Sequence, residues 1–173
     1  MNLNLLFPTV IGQIKNKNFT DKVKPIAHSL LAKSNPNFWN YHSSYSDKNI
    51  SAELNNYAFI YDYIKNISFE FLDKNGYKSP SEIEIEMFVS RMKKGEGHGR
   101  HRHPKAILSG VCYLTIEEGS APIRFYNNDF KQWLGIEIKN NTLYNQHHND
   151  HFPEEGDILI WESWVDHEVV SNY

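Results

Sequence analysis

The spacing of hydrophobic residues along this chain changes once, near residue 80, and the predicted elements divide there. Ahead of the change, LLFPTVIGQIK reads as a short strand with Pro8 near its start. In TDKVKPIAHSLLAKS, residues Val23, Ile26, Ala27, Leu30 and Leu31 recur at the spacing of an amphipathic helix. Thr20 or Asp21 is placed to cap it, and Pro25 is expected close enough to the helix start to be tolerated. The stretch from Asn35 to Asn49 mixes turn formers with aromatics and reads as an ordered loop. A second helix is expected from about Ser51 to Asn75, with Leu54, Tyr57, Ala58, Tyr61, Ile64, Phe71 and Leu72 inward. Gly76 stands where a left-handed C-cap belongs.

From Ser81 the period becomes that of a strand. SEIEIEMFVSRM sets Ile83, Ile85, Met87 and Val89 on one face and Glu82, Glu84 and Glu86 on the other. Beyond it come only strands and turns: ILSGVCYLTI, a turn at EEGSAP, IRFYN, WLGIEIKNNTLYN, a turn at PEEG, and DILIWESWV. Short strands behind a helical first half predict an α+β, mostly β chain: a sandwich or jelly roll with N-terminal helices packed outside. One domain over residues 1–173 is expected, helical over 1–78 and jelly roll over 79–173.

Composition narrows the functional classes. A net charge of −3 with no basic stripe gives no electrostatic case for nucleic acid. The one cysteine, Cys112, cannot form an internal disulfide, which fits a reducing compartment; in its apolar strand it reads as a small core residue. No secretory signal and no membrane-spanning apolar run are read, so a cytoplasmic protein without membrane contact is expected. Ten Tyr, ten Phe and four Trp suit a dense, partly polar core or a cleft.

The candidate chemistry lies in GHGRHRHPKAILSGVCYL. His101 and His103 stand at i and i+2 ahead of a strand, so in extended backbone their imidazoles share a face and suit a divalent transition metal. Pro104 stiffens the chain after them. His98 is out of phase with His101 and reads as a loop residue or a support for a ligand. His167, at the far end of GDILIWESWVD, is the leading third ligand; the plainer reading is a core histidine bonded by Asp166 or a backbone carbonyl. HHNDH, from His147 to His151, reads as a solvated turn. Arg91 continues the inward phase of Ile83 to Val89, which would direct its guanidinium into the barrel toward a carboxylate. Arg124 alternates against Ile123 and Phe125 and reads as a surface residue or one facing a cleft.

The segments LFPTVIG, HRHPKAILSGVCYL, EEGSAPIRFYNND and PEEGDILIWESWVDHEV, in that order, resemble a small bacterial and phage-associated family of 2-oxoglutarate-dependent iron(II) oxygenases. That family lies in the prolyl-hydroxylase-like branch of the double-stranded β-helix superfamily. The resemblance runs over nearly the whole chain. Its most specific parts are the H-x-H-P block followed by SGVCYL and the GDILIW strand leading to His167.

The resemblance implies a double-stranded β-helix and a cofactor pair, iron(II) and 2-oxoglutarate. His101 matches the first metal histidine and His167 the distal one. Position 103 is where the wider superfamily has Asp or Glu; here it is His103, giving a three-histidine site unless a carboxylate such as Asp166 or Glu96 completes the sphere. Superfamily members hold the far carboxylate of 2-oxoglutarate with a basic residue on a strand beyond the distal histidine. No Arg or Lys follows His167, so the core is expected to lack its last strand. Arg91 and Arg124 become the candidates for that role, Tyr113 can supply a hydroxyl, and a partner subunit in a homodimer would cover the open edge. Trp161, Trp164 and Tyr113 are placed to wall the pocket. The implied reaction hydroxylates a C–H bond of a small molecule or peptide and releases succinate and carbon dioxide. Two other readings stand beside it: a cupin-like three-histidine enzyme that does not use 2-oxoglutarate, and a non-catalytic jelly-roll binding module.

Overall fold

The computed structural model describes residues 1–3, 5, 7–34, 41–127, 135 and 137–172. In chain order these form β1 (Ile11–Lys15), α1 (Lys17–Lys33), β2 (His42–Ser43), α2 (Lys48–Asn55), α3 (Ala58–Lys74), β3 (Ser90–Arg91), β4 (His98–His101) and β5 (Leu108–Cys112). β6 (Ile123–Tyr126), β7 (His148–His151), β8 (Asp157–Glu162) and β9 (His167–Val169) follow. No helix among the described residues is long and apolar enough to cross a membrane.

The helical half keeps its inward faces but shifts its boundaries. Asn16, rather than Thr20 or Asp21, caps α1, its side chain accepting the Phe19 amide. The Thr20 hydroxyl donates instead to the Lys17 carbonyl. The earlier start leaves Pro25 inside the helix rather than near its first turn. A proline there forfeits one backbone hydrogen bond, and burial of Val23, Ala27, Leu30 and Leu31 on either side offsets the loss. The expected second helix is two, broken at Asn56 and Tyr57, where Tyr57 turns to ψ 91 and begins α3. Gly76, past the end of α3, adopts φ +77 as its position predicts.

The segment from Ile83 to Val89 keeps its alternation, with the apolar residues half-buried and the glutamates exposed, yet only Ser90 and Arg91 enter a ladder. Helix side chains bond much of its backbone, and Ser44 exchanges bonds with Val89. Asn55 donates to the Ile85 carbonyl, the Tyr61 hydroxyl to that of Ile83, and the Met87 amide donates to Ser51 Oγ. These bonds substitute for a strand partner, which is why the sequence pattern predicts a longer strand than forms.

Two antiparallel sheets carry the rest. The first has the order β1-β8-β5 and the second β4-β9-β6-β7. In the first, Ile14, Ile158 and Cys112 stand in register and face the helices, among Phe19, Val23, Leu30, Ile50, Leu54, Ile60 and Ile67. Its other face presents Ile11, Trp161, Leu159, Val111 and Tyr113 to Ile123 and Phe125 of the second sheet. The layers are therefore helices, sheet and sheet, the jelly-roll arrangement with external helices. Each fully buried aliphatic side chain, Ile158 or Leu159 for example, contributes on the order of 2 kcal/mol.

Two sequence expectations change in the second half. HHNDH is not a solvated turn: His148 to His151 form β7, paired residue by residue with Tyr126 to Ile123. Part of the expected strand WLGIEIKNNTLYN falls at residues 133, 134 and 136, outside the described residues. From Glu137 to Asn145 no strand forms, and the Asn145 amide closes a turn on the Thr142 carbonyl.

Candidate metal centre

Three strands bring the site together in one row. His101, the last residue of β4, pairs with His167, the first of β9, and His167 pairs in turn with Phe125 on β6. His103 lies beyond the end of β4, so it reaches the cluster from a turn rather than by strand alternation. Its amide donates to the Ser163 carbonyl, which ties that turn to the one leading into β9. His167 is likewise delivered by a turn after β8, not by the end of that strand.

One ring nitrogen from each of His101, His103 and His167 lies within 4.8 Å of the other two. His167 is buried, while His101 and His103 are half-buried. Neighbouring carbonyls fix two of the tautomers. Nδ1 of His101 is 2.8 Å from the Gly99 carbonyl, and Nδ1 of His167 is 2.9 Å from that of Val165. A carbonyl only accepts, so each Nδ1 carries the proton and each Nε2 keeps its lone pair for a metal. Burial, with the neighbouring histidines, brings the His167 pKa down to about 4; burial and then His101 lower that of His103. Both shifts favour the neutral imidazole, the form that donates to a metal.

A carboxylate does not join the set among the described residues. Asp166 turns away from His167 and is held by two guanidiniums: Arg100 Nη2 at 2.7 Å from Oδ2, and Arg102 Nε at 2.6 Å from Oδ1. Burial opposes its charge, but Arg102 and Arg100 outweigh that and keep its carboxyl below the usual range. Arg100, on β4, alternates against His101, and Arg102, just past the end of that strand, reaches the same carboxylate. The result is an ionic staple across β4 and β9 behind the histidines. Glu96 accepts the Lys93 amide within its own turn.

The other sequence candidates are dispersed. Arg91 is exposed on β3, where it pairs with His42. Arg124 lies on the face of β6 opposite to Phe125 and the His167 ring. There it makes a two-point pair with Asp150, at 2.7 and 2.8 Å, beside Glu168. The Arg124 guanidinium is thus held on the face away from the histidines. Tyr113 does lie between the sheets, packed against the cluster of Phe125, Leu159 and Trp161. Burial, and then the Asp157 charge, push its hydroxyl pKa well up, so it stays protonated and able to donate. Trp161 is buried with its ring 4.9 Å from that of His167, and its indole N–H has no acceptor among the described residues. Trp164 is exposed and donates to Glu162.

Sequence alternation missed His98. Between His98 and His101 the β4–β9 register shifts, and three steps on β4 match two on β9. This bulge resets the phase and stacks the His98 ring on His101 at 3.8 Å. The signal was present in the glycines on either side: a Cβ on Gly97 would stand 2.8 Å from the Val169 carbonyl.

Residues 86–173 match the family model described as "Putative 2OG-Fe(II) oxygenase". The chain belongs to this family of 2OG-Fe(II) oxygenases. The fold agrees with a solved structure, a prolyl-4-hydroxylase from Pseudomonas putida. The TM-score is 0.56 at 15% sequence identity, over 95% of this chain and 86% of that one. No curated protein matches the chain. As a 2OG-Fe(II) oxygenase it is an enzyme that uses iron(II) and 2-oxoglutarate and acts on a small molecule or peptide. Three neutral imidazoles, with one nitrogen of each within reach of a common point, are a donor set that fits iron(II). The unpaired indole N–H of Trp161 marks a place where a bound molecule would find a donor.

Proposed function

We propose that His101, His103 and His167 are the iron ligands of this oxygenase and that it hydroxylates a C–H bond of its substrate. The observation that supports this reading is the convergence of their three ring nitrogens within 4.8 Å. The balanced reaction is R–H + O2 + 2-oxoglutarate → R–OH + succinate + CO2, and the bound iron supplies the activation of oxygen.

The chain's own residues contribute orientation and shielding. Gly99 and Val165 hold the two fixed tautomers through their carbonyls, so His101 and His167 each offer Nε2 to a metal. Phe125, Trp161 and Val165 form an apolar wall against His167 that keeps water from that side. Tyr113, protonated and between the sheets, is the donor assigned to a carboxylate of 2-oxoglutarate. Arg91 and Arg124 are not assigned this role, given the faces they occupy. An all-histidine set adds no negative charge, so the metal retains its full positive charge toward an anionic cosubstrate.

Anaerobic addition of iron(II) and 2-oxoglutarate to the metal-free protein tests the reading. A visible metal-to-ligand charge-transfer band is expected only with both additions, and it is lost in His101→Ala. Succinate is expected when oxygen is admitted. Metal binding without the band would move the assignment to a three-histidine enzyme without 2-oxoglutarate, and absence of metal binding would remove the ligand assignment altogether.

A further inference from the structure

Four histidines meet at this end of the sandwich, and the metal assignment uses three. Resting on that assignment, we propose that His98 and Tyr41 are positioning residues that hold the His101 imidazole in the orientation the metal requires. The His98 and His101 rings lie face to face, with centroids 3.8 Å apart and planes inclined by 22°. The ligand rings are farther apart, at 4.2 Å for His101 with His167 and 5.0 Å with His103. One edge of His101 is tethered to the Gly99 carbonyl, but a single hydrogen bond leaves the ring free to tilt about it. A flat neighbour against its face removes that tilt.

His98 is itself anchored. The Tyr41 hydroxyl is 3.1 Å from its Nδ1, and the two ring centroids are 4.9 Å apart. Tyr41 is buried, directly ahead of β2, and β2 is fixed by its pairing with β3. Ser34 Oγ, at the end of α1, meets His42 Nε2 at 3.0 Å, so the support reaches back into the helical half. His98 does not serve as a fourth ligand in this arrangement. Its ring turns a face to His101, and the convergent group among the described residues is His101, His103 and His167. Groups that orient a metal-bound imidazole typically change metal affinity by roughly 10- to 100-fold when removed.

The test is cobalt(II) titration of the metal-free protein, followed through the visible d–d bands, which report ligand geometry without any turnover. Wild-type protein is expected to bind one equivalent and His101→Ala none. If wild type binds none, or His101→Ala binds equally well, the metal assignment fails and takes this inference with it. With that assignment standing, His98→Ala is expected to bind about 10-fold more weakly, with altered bands. His98→Phe, which restores a flat ring, is expected to recover most of the affinity. Wild-type affinity and bands in His98→Ala would overturn the positioning role. So would a Phe variant no better than Ala, or a loss as complete as in His101→Ala, which would make His98 a ligand. Should His98→Ala fail to fold by circular dichroism, Tyr41→Phe decides, since it removes one oxygen only. A several-fold loss with shifted bands supports the role, and wild-type behaviour overturns it.

Discussion

The β5–β8 ladder and the β4–β9 ladder are built from similar short strands and do opposite work. β5 and β8 pair without interruption from Leu108 with Glu162 to Cys112 with Ile158. The sheet they form is covered on both faces, by helices on one and by the second sheet on the other. β4 and β9 pair at His98 with Val169 and at His101 with His167, and the register slips between. One side of this ladder collects four imidazoles, and the other carries Arg100 and Arg102 against Asp166. The regular ladder fixes which face every residue takes and builds core. The irregular one suspends that rule for one residue, and this brings His98 and His101 together. A bulge is how a sheet places two ring systems on one side at a spacing its pleat forbids.

The same substitution in each ladder separates the two roles. Gly110 sits in the regular ladder, and a Cβ there would stand 2.8 Å from the Leu159 carbonyl, a backbone atom without room to move. Gly110→Ala is expected to lose about 3 kcal/mol of unfolding free energy in a urea titration. The protein that remains folded should bind metal as before, because no ligand belongs to this sheet. An unchanged midpoint would show that β5 can shift away from β8, and that the regular ladder is less constrained than its packing implies.

Gly97 adjoins the irregular ladder and meets the Val169 carbonyl at the same 2.8 Å, with the Ser171 amide and Val170 carbonyl carbon at 3.1 Å. Gly97→Ala is expected to cost less stability, about 1 kcal/mol, because β4 meets β9 in register only at His98 and His101 and can shift, whereas β5 pairs with β8 continuously. That movement carries His98 and His101 with it, so metal affinity should fall by roughly 10-fold. A variant that is destabilised like Gly110→Ala yet binds metal normally would erase the distinction between the ladders.

The difference between the ladders also explains how far the sequence could be read. ILSGVCYL and DILIW are apolar on both faces and bounded by turns, so strands β5 and β8 and their core were legible. His101 and His167 were singled out because one stands at a loop-to-strand junction and the other follows an apolar strand, although a bulged strand and a turn are what deliver them. His103 was read from its i, i+2 strand spacing with His101, but it lies beyond the end of β4, and the fold brings its ring to the cluster from a turn. His98 was read as out of phase because alternation counts residues and cannot see an extra one. Arg91 was read as inward and is exposed, whereas Arg124 keeps the surface reading that its alternation allowed. The parity that makes Phe125 core makes Arg124 outer surface. Tyr41 carries no sequence signal toward His98, because a contact across 57 positions is made by the fold alone.

The outer face of the second sheet, away from both cores, should show the smallest effect. Arg124 and Asp150 are direct cross-strand neighbours on β6 and β7, and each side chain is about a quarter exposed, 26% and 23%. The hydrogen bonds from Arg124 hold the Asp150 carboxyl below its ordinary value, against the opposing effect of burial. A carboxylate with a depressed folded-state pKa stabilises the protein above its unfolded value, near 3.9, and loses that contribution as pH falls through the folded-state value. Asp150→Asn is therefore expected to cost about 1 kcal/mol at pH 7, discounted for this exposure and weakened by added salt. The two proteins should converge as the pH drops below about 4, where the wild-type carboxylate also loses its charge. Thermal unfolding of both across that range checks it. Metal affinity should not change, because the histidines occupy the opposite face; a loss of affinity in Asp150→Asn would mean that the ionic face and the histidine face move as one unit.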